Sequence, residues 1–144
     1  MMRASLLLAL CACDAHRGDA PSAVTIQIGD ATLVAEVAAD GRGRDRGLMF
    51  RRELPENAAM LFVFASDVRP SFWMKDTFIP LSLAFVDASQ HVLEIQELEP
   101  FSLAGHSPAT PVRYAIEANA GWFARHDVGV GDAAVFQLGE LSVE

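Results

Sequence analysis

Turn signals recur along most of this sequence at intervals of about eight to twelve residues, and the stretches between them are short and apolar. Apolar and polar residues alternate over residues 24–28 and 31–37, on either side of Gly29-Asp30, which predicts a β-hairpin. Further strands are predicted at residues 59–64, 71–75, 81–86, 91–98, 112–117 and 133–138, and short helical turns within 40–50 and 119–125. This spacing predicts a mostly β (α+β) fold: a single compact β-barrel or sandwich-like domain with two short helices.

Composition limits the classes of protein to which the chain can belong. Its 144 residues fit one domain, and with 51% hydrophobic and 21% charged residues it can build a core. The net charge of -8 argues against general nucleic-acid binding, which needs a basic face to replace phosphate counterions. The same charge argues against electrostatic docking to an anionic membrane surface.

The N-terminus has the pattern of an export signal: one arginine, a short apolar run and then small residues. The apolar run is too short to span a bilayer as a helix. Residues 10–13 resemble the bacterial lipobox, in which a cysteine after a small residue becomes the lipidated first residue. Cys13, which follows Ala12, is the preferred acceptor, and Cys11, which follows the bulkier Leu10, is the alternative.

We therefore expect a lipoprotein-type signal peptide at residues 1–12, a small, polar tether at 13–22 and one β-rich domain at 23–144. Asp14 follows the acceptor and resembles an inner-membrane retention cue, so the expected location is the periplasmic face of the inner membrane. An ordinary cleaved signal peptide and a misassigned start codon remain open alternatives.

The chemistry of the domain is limited by its lack of cysteine, because both cysteines lie in the leader. The domain therefore has no thiol nucleophile, thiolate metal site or disulfide. His91, His106 and His126 lack the paired spacing of metal ligands, so no metal and no cofactor is predicted.

The only lysine in the sequence, Lys75, lies in the apolar segment 72–77. An ammonium there must reach water, pair with a carboxylate or meet a ligand, because burying it alone is costly. Alternation places Trp73, Lys75 and Thr77 on one face of a strand. Two interpretations stay open: an exterior ledge with a cation–π contact between Lys75 and Trp73, or a shallow pocket in which Lys75 and Thr77 donate hydrogen bonds to a ligand.

Other candidate residues flank this segment in the predicted fold. Arg46 could clamp an anionic group through two parallel hydrogen bonds, or pair with Glu117 or Asp87 to hold the fold together. Alternation places Glu117 on the same face as Ala115, pointing inward beside a cation. The other arginines of this region are interpreted as a solvated face: Arg42, Arg44, Arg51 and Arg52.

Two further residues are predicted as part of the site. Ser107 follows Gly105-His106 but lacks the glycine-flanked context of a hydrolase nucleophile, so it is interpreted as a cap or a rim residue. Asn119 lies beyond Glu117 at the end of the same predicted strand.

Several phrases occur in an order that resembles a known family: residues 46–51, 60–64, 72–77, 79–81, 85–87, 116–121 and 130–132, with Ser107 and Pro111. Together they resemble the domain of unknown function 192 family over residues 24–138. The resemblance implies a small, mostly β fold, often behind an export signal, and implies no reaction. Asp76 stands where the family usually has asparagine, and Ser82 where an aspartate commonly follows the proline-leucine pair. If these positions contact a ligand, its identity or affinity differs here.

The favoured function is a non-enzymatic, envelope-associated module that binds a small polar or anionic ligand. Its binding residues are predicted as Arg46, Trp73, Lys75, Thr77, Ser107, Glu117 and Asn119. The alternative is an enzyme acting on an envelope saccharide or peptide, in which Lys75 exchanges protons with Glu117 or Asp76. A structural partner of an envelope complex, with a broad exposed apolar patch, is a third interpretation. Membrane contact is expected through the N-terminal lipid only, without a nucleic-acid partner.

Overall fold

The computed structural model describes residues 23–144, so the predicted signal peptide, lipidation at Cys13 and tether lie outside the described residues. The elements are β1 (Ala23–Ile28), β2 (Ala31–Ala38), α1 (Gly41–Arg46), β3 (Ala58–Val68), β4 (Leu81–Val86), β5 (Val92–Leu98), β6 (Val112–Asn119), α2 (Trp122–Arg125) and β7 (Ala134–Val135). Within this part of the chain, seven strands form one sheet in the order β5-β4-β6-β3-β2-β1-β7. The mostly β fold with two short helices is therefore confirmed.

The sheet curls but does not close into a barrel. All neighbouring strands are antiparallel except β2 and β3, which run parallel. Its two edges approach each other at one end, where His91 forms a bridge with Ala133 and the Ala134 N–H donates to the Gln90 carbonyl at 2.7 Å. The architecture is a curled half-barrel, and the closed barrel allowed by the sequence is not formed.

The central strands are covered on both faces, which is why all six residues of β4 are buried. Alternate side chains of β3, β4 and β6 enter two separate apolar clusters. Leu61 and Ile116 belong to the first cluster, which also contains both buried aromatic residues of α2. Phe62 and Ala115 belong to the second, together with Met74 and other side chains from the segment before β4.

Helix α1 is short and bounded by local signals. The Asp40 side chain caps its N-terminus by accepting from the Gly43 N–H at 2.6 Å. The helix ends at Gly47, whose φ of 48° and ψ of -133° strongly favour a residue without a Cβ. Neither helix within residues 23–144 combines the length and hydropathy that crossing a membrane requires.

Two arginines interpreted as a solvated face are instead held by the fold. Arg44 Nη1 donates to the carbonyls of Ala39 and Val63 at 2.6 and 3.1 Å. Arg51 forms a bidentate pair with Glu36, with one bond of 2.8 Å. The interpretation as solvated side chains is wrong for these two, because the fold brings the Ala39 and Val63 carbonyls to Arg44 and the Glu36 carboxylate to Arg51.

The strand predicted at 71–75 is also wrong. Pairing there is limited to one bridge between Phe72 and His106, with reciprocal N–H to carbonyl bonds of 2.8 and 2.7 Å. The chain then turns, and Asp76 adopts a left-handed φ of 53°. Strict alternation consequently fails: Thr77 is buried, whereas Trp73 and Lys75 are exposed. The last strand is likewise shorter than predicted, because β7 pairs with only two residues of β1.

Candidate functional site

A cavity of about 580 Å³ opens between the end of α1, strand β3, the segment before β4 and strand β6. We call it the Glu117 cavity. Its lining residues are Arg44, Asp45, Arg46, Gly47, Leu48, Met49, Phe62, Phe64, Pro70, Ser71, Phe72, Trp73, Thr77 and Glu117. The volume is typical of sites that hold small molecules.

Glu117 is the buried charged side chain of this cavity. It lies on central strand β6, opposite Met60 of β3 and Leu83 of β4, and is 4% exposed. As alternation indicated, it shares the face of Ala115, which belongs to the second apolar cluster. Removal from water raises the pKa of the Glu117 carboxyl to about 8. The group is therefore mostly protonated at neutral pH.

The Glu117 carboxyl has no partner among residues 23–144. None of the ion pairs in this part of the chain includes it, so no described cation lies within salt-bridge distance of the carboxyl. Fully buried side-chain polar atoms of the described residues all have hydrogen-bond partners. The carboxyl has no such partner, so its oxygen atoms are not fully enclosed by protein. They are open to the cavity that Glu117 lines.

Aromatic rings form much of the cavity wall. Phe62 and Phe72 pack edge to face with their ring centroids 4.9 Å apart, and Phe64 lines the wall beside them. Trp73 lies at the opening and is 47% exposed. These rings offer apolar contact area and ring faces that attract cations.

Thr77 adds a second buried polar group to the cavity lining. Its hydroxyl donates its one proton to the Lys75 carbonyl at 3.0 Å. Toward a ligand, the Thr77 oxygen can therefore only accept a hydrogen bond. Thr77 was predicted as a donor to a ligand, and this bond makes it an acceptor instead.

The charged residues at the opening all come from α1. Arg44 is occupied by backbone carbonyls, and Asp45 and Arg46 are exposed. Arg46 forms no ion pair within residues 23–144, so neither predicted partner, Glu117 or Asp87, holds it.

Four residues of the predicted site do meet in one cavity: Arg46, Trp73, Thr77 and Glu117. Lys75 does not line it. Its Nζ lies 5.3 Å from the Trp73 ring centroid, and no ion pair of the described residues includes it. Of the two interpretations left open for Lys75, the exterior ledge is the one observed and the pocket is not, because the turn at residues 75–76 leaves the side chain exposed.

The predicted acid–base pairs are not assembled. Lys75 pairs with neither Glu117 nor Asp76. The Asp76 carbonyl instead accepts from the Phe50 N–H at 2.8 Å, and its left-handed backbone is one that aspartate and asparagine tolerate well. A local backbone requirement thus accounts for this residue type at position 76.

Two of the predicted binding residues, Ser107 and Asn119, lie outside the Glu117 cavity. Asn119 Nδ2 donates to the carbonyls of Leu54 and Pro55 at 2.9 and 3.0 Å, which ties a loop to the end of β6. Ser107 is exposed in a loop, where its carbonyl accepts from Gln96 Nε2 at 3.2 Å.

Ser82, the second departure from the family pattern, is also absent from the cavity lining. It is fully buried, donates to the Glu97 carboxylate at 2.6–2.7 Å and accepts from the Gly121 N–H at 2.8 Å. Within residues 23–144 there is no cluster of three His, Cys, Asp or Glu side chains suited to a metal ion.

The sequence interpretation did not assign the aromatic wall to the site. Phe62 and Phe64 are two residues apart, which in a strand places them on one face. That spacing was available in the sequence, but it gave no sign that Phe72 or the end of α1 lies against the same face.

A family model and several solved structures are similar to this chain. The DUF192 family model, described as "Uncharacterized ACR", matches residues 24–136. A candidate transcription regulator from Sinorhizobium meliloti is 31% identical, with a TM-score of 0.75 over 79% of this chain and 92% of that one. A protein of unknown function from Novosphingobium aromaticivorans is 30% identical, with a TM-score of 0.71 over 78% of this chain and 83% of that one.

The comparison with curated proteins gives no significant match. The family model covers well over half of the sequence, and both similar structures share the fold along most of their length. This chain belongs to the DUF192 family.

Proposed function

We propose that this protein is a non-enzymatic binding module that holds a small polar ligand in the Glu117 cavity. One observation carries the proposal: an unpartnered carboxyl lies in the core of the sheet at an aromatic-lined cavity. Leaving a buried polar group without a partner costs about 1–3 kcal/mol. A ligand that hydrogen-bonds to Glu117 recovers this cost, and the cavity has room for one.

The binding proposal is favoured over the enzyme alternative by the position of Lys75. An acid–base pair needs two groups within hydrogen-bond reach of one substrate atom. Lys75 lies outside the Glu117 cavity, with its Nζ 5.3 Å from the Trp73 ring centroid, whereas Glu117 lines the cavity. The description of the Sinorhizobium protein as a regulator is not extended to this chain, because a net charge of -8 opposes contact with the DNA backbone.

A ligand screen tests the binding proposal. Polar envelope metabolites and glycans are added to the wild-type chain, to Glu117→Gln and to Glu53→Gln, and thermal unfolding is measured. Glu53 is exposed and outside the cavity, so it is the matched control for the amide substitution. We expect at least one compound to raise the melting temperature of the wild type and of Glu53→Gln, with a smaller rise in Glu117→Gln. Equal rises in all three proteins, or none in any, would contradict binding at Glu117.

We also propose that the domain is exported and anchored by a lipid on Cys13, with no other membrane contact. The support is the pattern of the leader: an apolar run followed by a cysteine after a small residue. Metabolic labelling with a fatty-acid analogue tests it. Label should disappear in Cys13→Ser and persist in Cys11→Ser, whereas the reverse result would move the lipidated residue to Cys11.

Exposed aromatic side chains favour a protein-contact surface as a second candidate function. Phe78 and Phe101 pack edge to face with centroids 5.1 Å apart, yet are 41% and 56% exposed. Changing both to serine and measuring co-purification of envelope proteins with the full chain tests this surface. Loss of one reproducible partner would support it, and an unchanged set of partners would argue against it.

A further inference from the structure

We infer that the ligand is a small zwitterion whose ammonium group contacts Glu117 and whose acidic group contacts Arg46 at the opening. This inference rests on the proposed function, because it names the ligand class of the same cavity. It depends on the chemistry of the buried polar groups, on the aromatic wall and on the charges at the opening.

The buried polar groups of the cavity favour a hydrogen-bond donor. Thr77 can only accept, because its hydroxyl proton is used by the Lys75 carbonyl. Glu117 accepts through its oxygens and becomes a pure acceptor when it ionises. Phe62 and Phe72 add ring surfaces beside these acceptors. Oxygen acceptors with aromatic rings suit an ammonium group, which gains both an ion pair and cation–π contacts.

The opening of the cavity favours an acidic group on the same ligand. Arg46 lies at the end of α1, is exposed and forms no ion pair within residues 23–144. A guanidinium can bind a carboxylate through two parallel hydrogen bonds. A simple cation would meet Arg46 without compensation, whereas a zwitterion gives each charge a partner.

The formal charges of the lining residues are consistent with a ligand of no net charge. Besides Glu117, the charged residues that line the cavity are Arg44, Asp45 and Arg46, all at the end of α1. β3 and the segment before β4 contribute no charged lining residue. With Glu117 ionised, two positive and two negative side chains therefore line the cavity.

Binding of an ammonium to ionised Glu117 must release the proton that this carboxyl holds at neutral pH. The pKa of Glu117 is about 8 without ligand, and both ligand charges are constant between pH 6 and 8. The affinity should therefore be roughly 50-fold weaker at pH 6 than at pH 8. A ligand that placed its acidic group against protonated Glu117 would show the opposite dependence.

Isothermal titration calorimetry on the full chain tests the ligand class. The probes are straight-chain ω-amino acids from glycine to 6-aminohexanoate, with the alkylamine and the alkanoate of equal length as controls. We expect one chain length to bind best, with the matched alkylamine and alkanoate each roughly tenfold weaker. Equal or stronger binding of the alkanoate, affinity that falls with rising pH, or no binding of any amino acid would overturn the inference.

Paired variants assign the two ends of the ligand. Glu117→Gln should weaken the best amino acid and its alkylamine by roughly tenfold or more, whereas Glu53→Gln should change neither. Arg46→Gln should weaken the amino acid but not the alkylamine, and Arg42→Gln, an exposed residue of the same helix outside the lining, should change neither. Loss of amine binding in Arg46→Gln, or amino-acid binding unaltered by Glu117→Gln, would overturn the assignment.

The ligand class and the binding function of the Glu117 cavity can be contradicted separately. If the amino acids do not bind but another compound from the metabolite screen binds in a Glu117-dependent manner, the ligand class is wrong and the binding function stands. If no compound of either set depends on Glu117, both are wrong.

Discussion

Glu117 determines the chemistry of the cavity because the groups around it cannot solvate its charge. Met60 and Leu83 flank it across the sheet, and phenylalanine rings line the space in front of it. A carboxyl in such surroundings stays protonated unless a cation binds next to it and stabilises the ionised form. Both properties can be measured on single variants.

Replacing Glu117 with glutamine should remove a pH-dependent cost from the folded state. The folded carboxyl has a pKa of about 8 and the unfolded one about 4.5, so the folded state holds more protons between these values. The free energy of unfolding of the wild type therefore falls as pH rises through this window, by at most on the order of 5 kcal/mol. Glutamine keeps the shape but does not titrate.

Urea unfolding of both proteins at pH 4.5, 6, 7 and 8.5 measures this effect. We expect the stability of Glu117→Gln relative to the wild type to increase steadily with pH. Glu53→Gln is the control and should follow the wild type at every pH. A constant difference between Glu117→Gln and the wild type would show that Glu117 titrates normally in the folded protein.

At the scale of single residues, period-2 alternation correctly placed Glu117 on the inward face, because it lies in a long, regular central strand. The same rule failed for Thr77, which is buried although the rule placed it on the face of the exposed Trp73 and Lys75. Its segment makes one bridge and then turns through the left-handed Asp76. For Lys75 the sequence left an exterior ledge and a shallow pocket open, and the exposed Trp73 and Lys75, with Nζ 5.3 Å from the ring centroid, correspond to the ledge.

Among the elements, the end of α1 delivers Arg46 and Gly47 to the cavity. Gly47 has a φ of 48°, and a Cβ there would lie 3.4 Å from Phe62 Cζ and 3.7 Å from Glu117 Oε2. The space would just accept a methyl group, so backbone strain decides the effect of a substitution. Glycine at this position lets the helix end directly against the buried carboxyl.

Gly47→Ala should destabilise the protein by about 1–3 kcal/mol, because alanine disfavours this backbone conformation. Gly41→Ala, at the other end of the same helix, has no positive φ and no heavy atom within 4 Å of the new Cβ. Chemical denaturation should therefore show Gly41→Ala as neutral or slightly stabilising. Equal effects of the two substitutions would contradict the strained conformation at Gly47.

Ser82 is buried near the start of β4 and links three elements. Its hydroxyl donates to Glu97 of β5 and accepts from the Gly121 N–H that precedes α2. Ser82→Ala leaves that N–H without its partner and should cost about 1–3 kcal/mol. Denaturation of Ser82→Ala beside Ser89→Ala, an exposed turn residue, measures the cost. A loss no larger than that of the control would show that the network does not contribute.

Element types were largely predictable from the sequence. Alternation predicted the β1–β2 hairpin, and the sequence also predicted strands at β4 and β6 and a helical turn where α1 forms. The segments that failed, 71–75 and 133–138, pair over only one or two residues, because their partners are a loop and the end of β1. Apolar composition alone cannot show how long a partner strand is.

At the scale of the whole molecule, the cavity depends on long-range topology. Strands β2 and β3 are parallel neighbours, so the chain must return along the length of the sheet between them. Helix α1 lies in this connection. Strand β6 then inserts between β3 and β4, which places Glu117 beside Phe62 and the end of α1. The sequence identified four residues that line the cavity. It did not identify the aromatic wall that completes the cavity, because local patterns do not encode the order of strands in a sheet.

The most direct measurement of the central claim is the titration of the Glu117 side-chain carboxyl by ¹³C NMR, assigned with the Glu117→Gln variant. We expect an isolated transition with a pKa of about 8, moving to lower pH when a bound ammonium compound supplies the missing partner. A transition near the ordinary value of 4.5 in the free protein would show that the carboxyl is wetted or already paired, and would contradict the cavity described here.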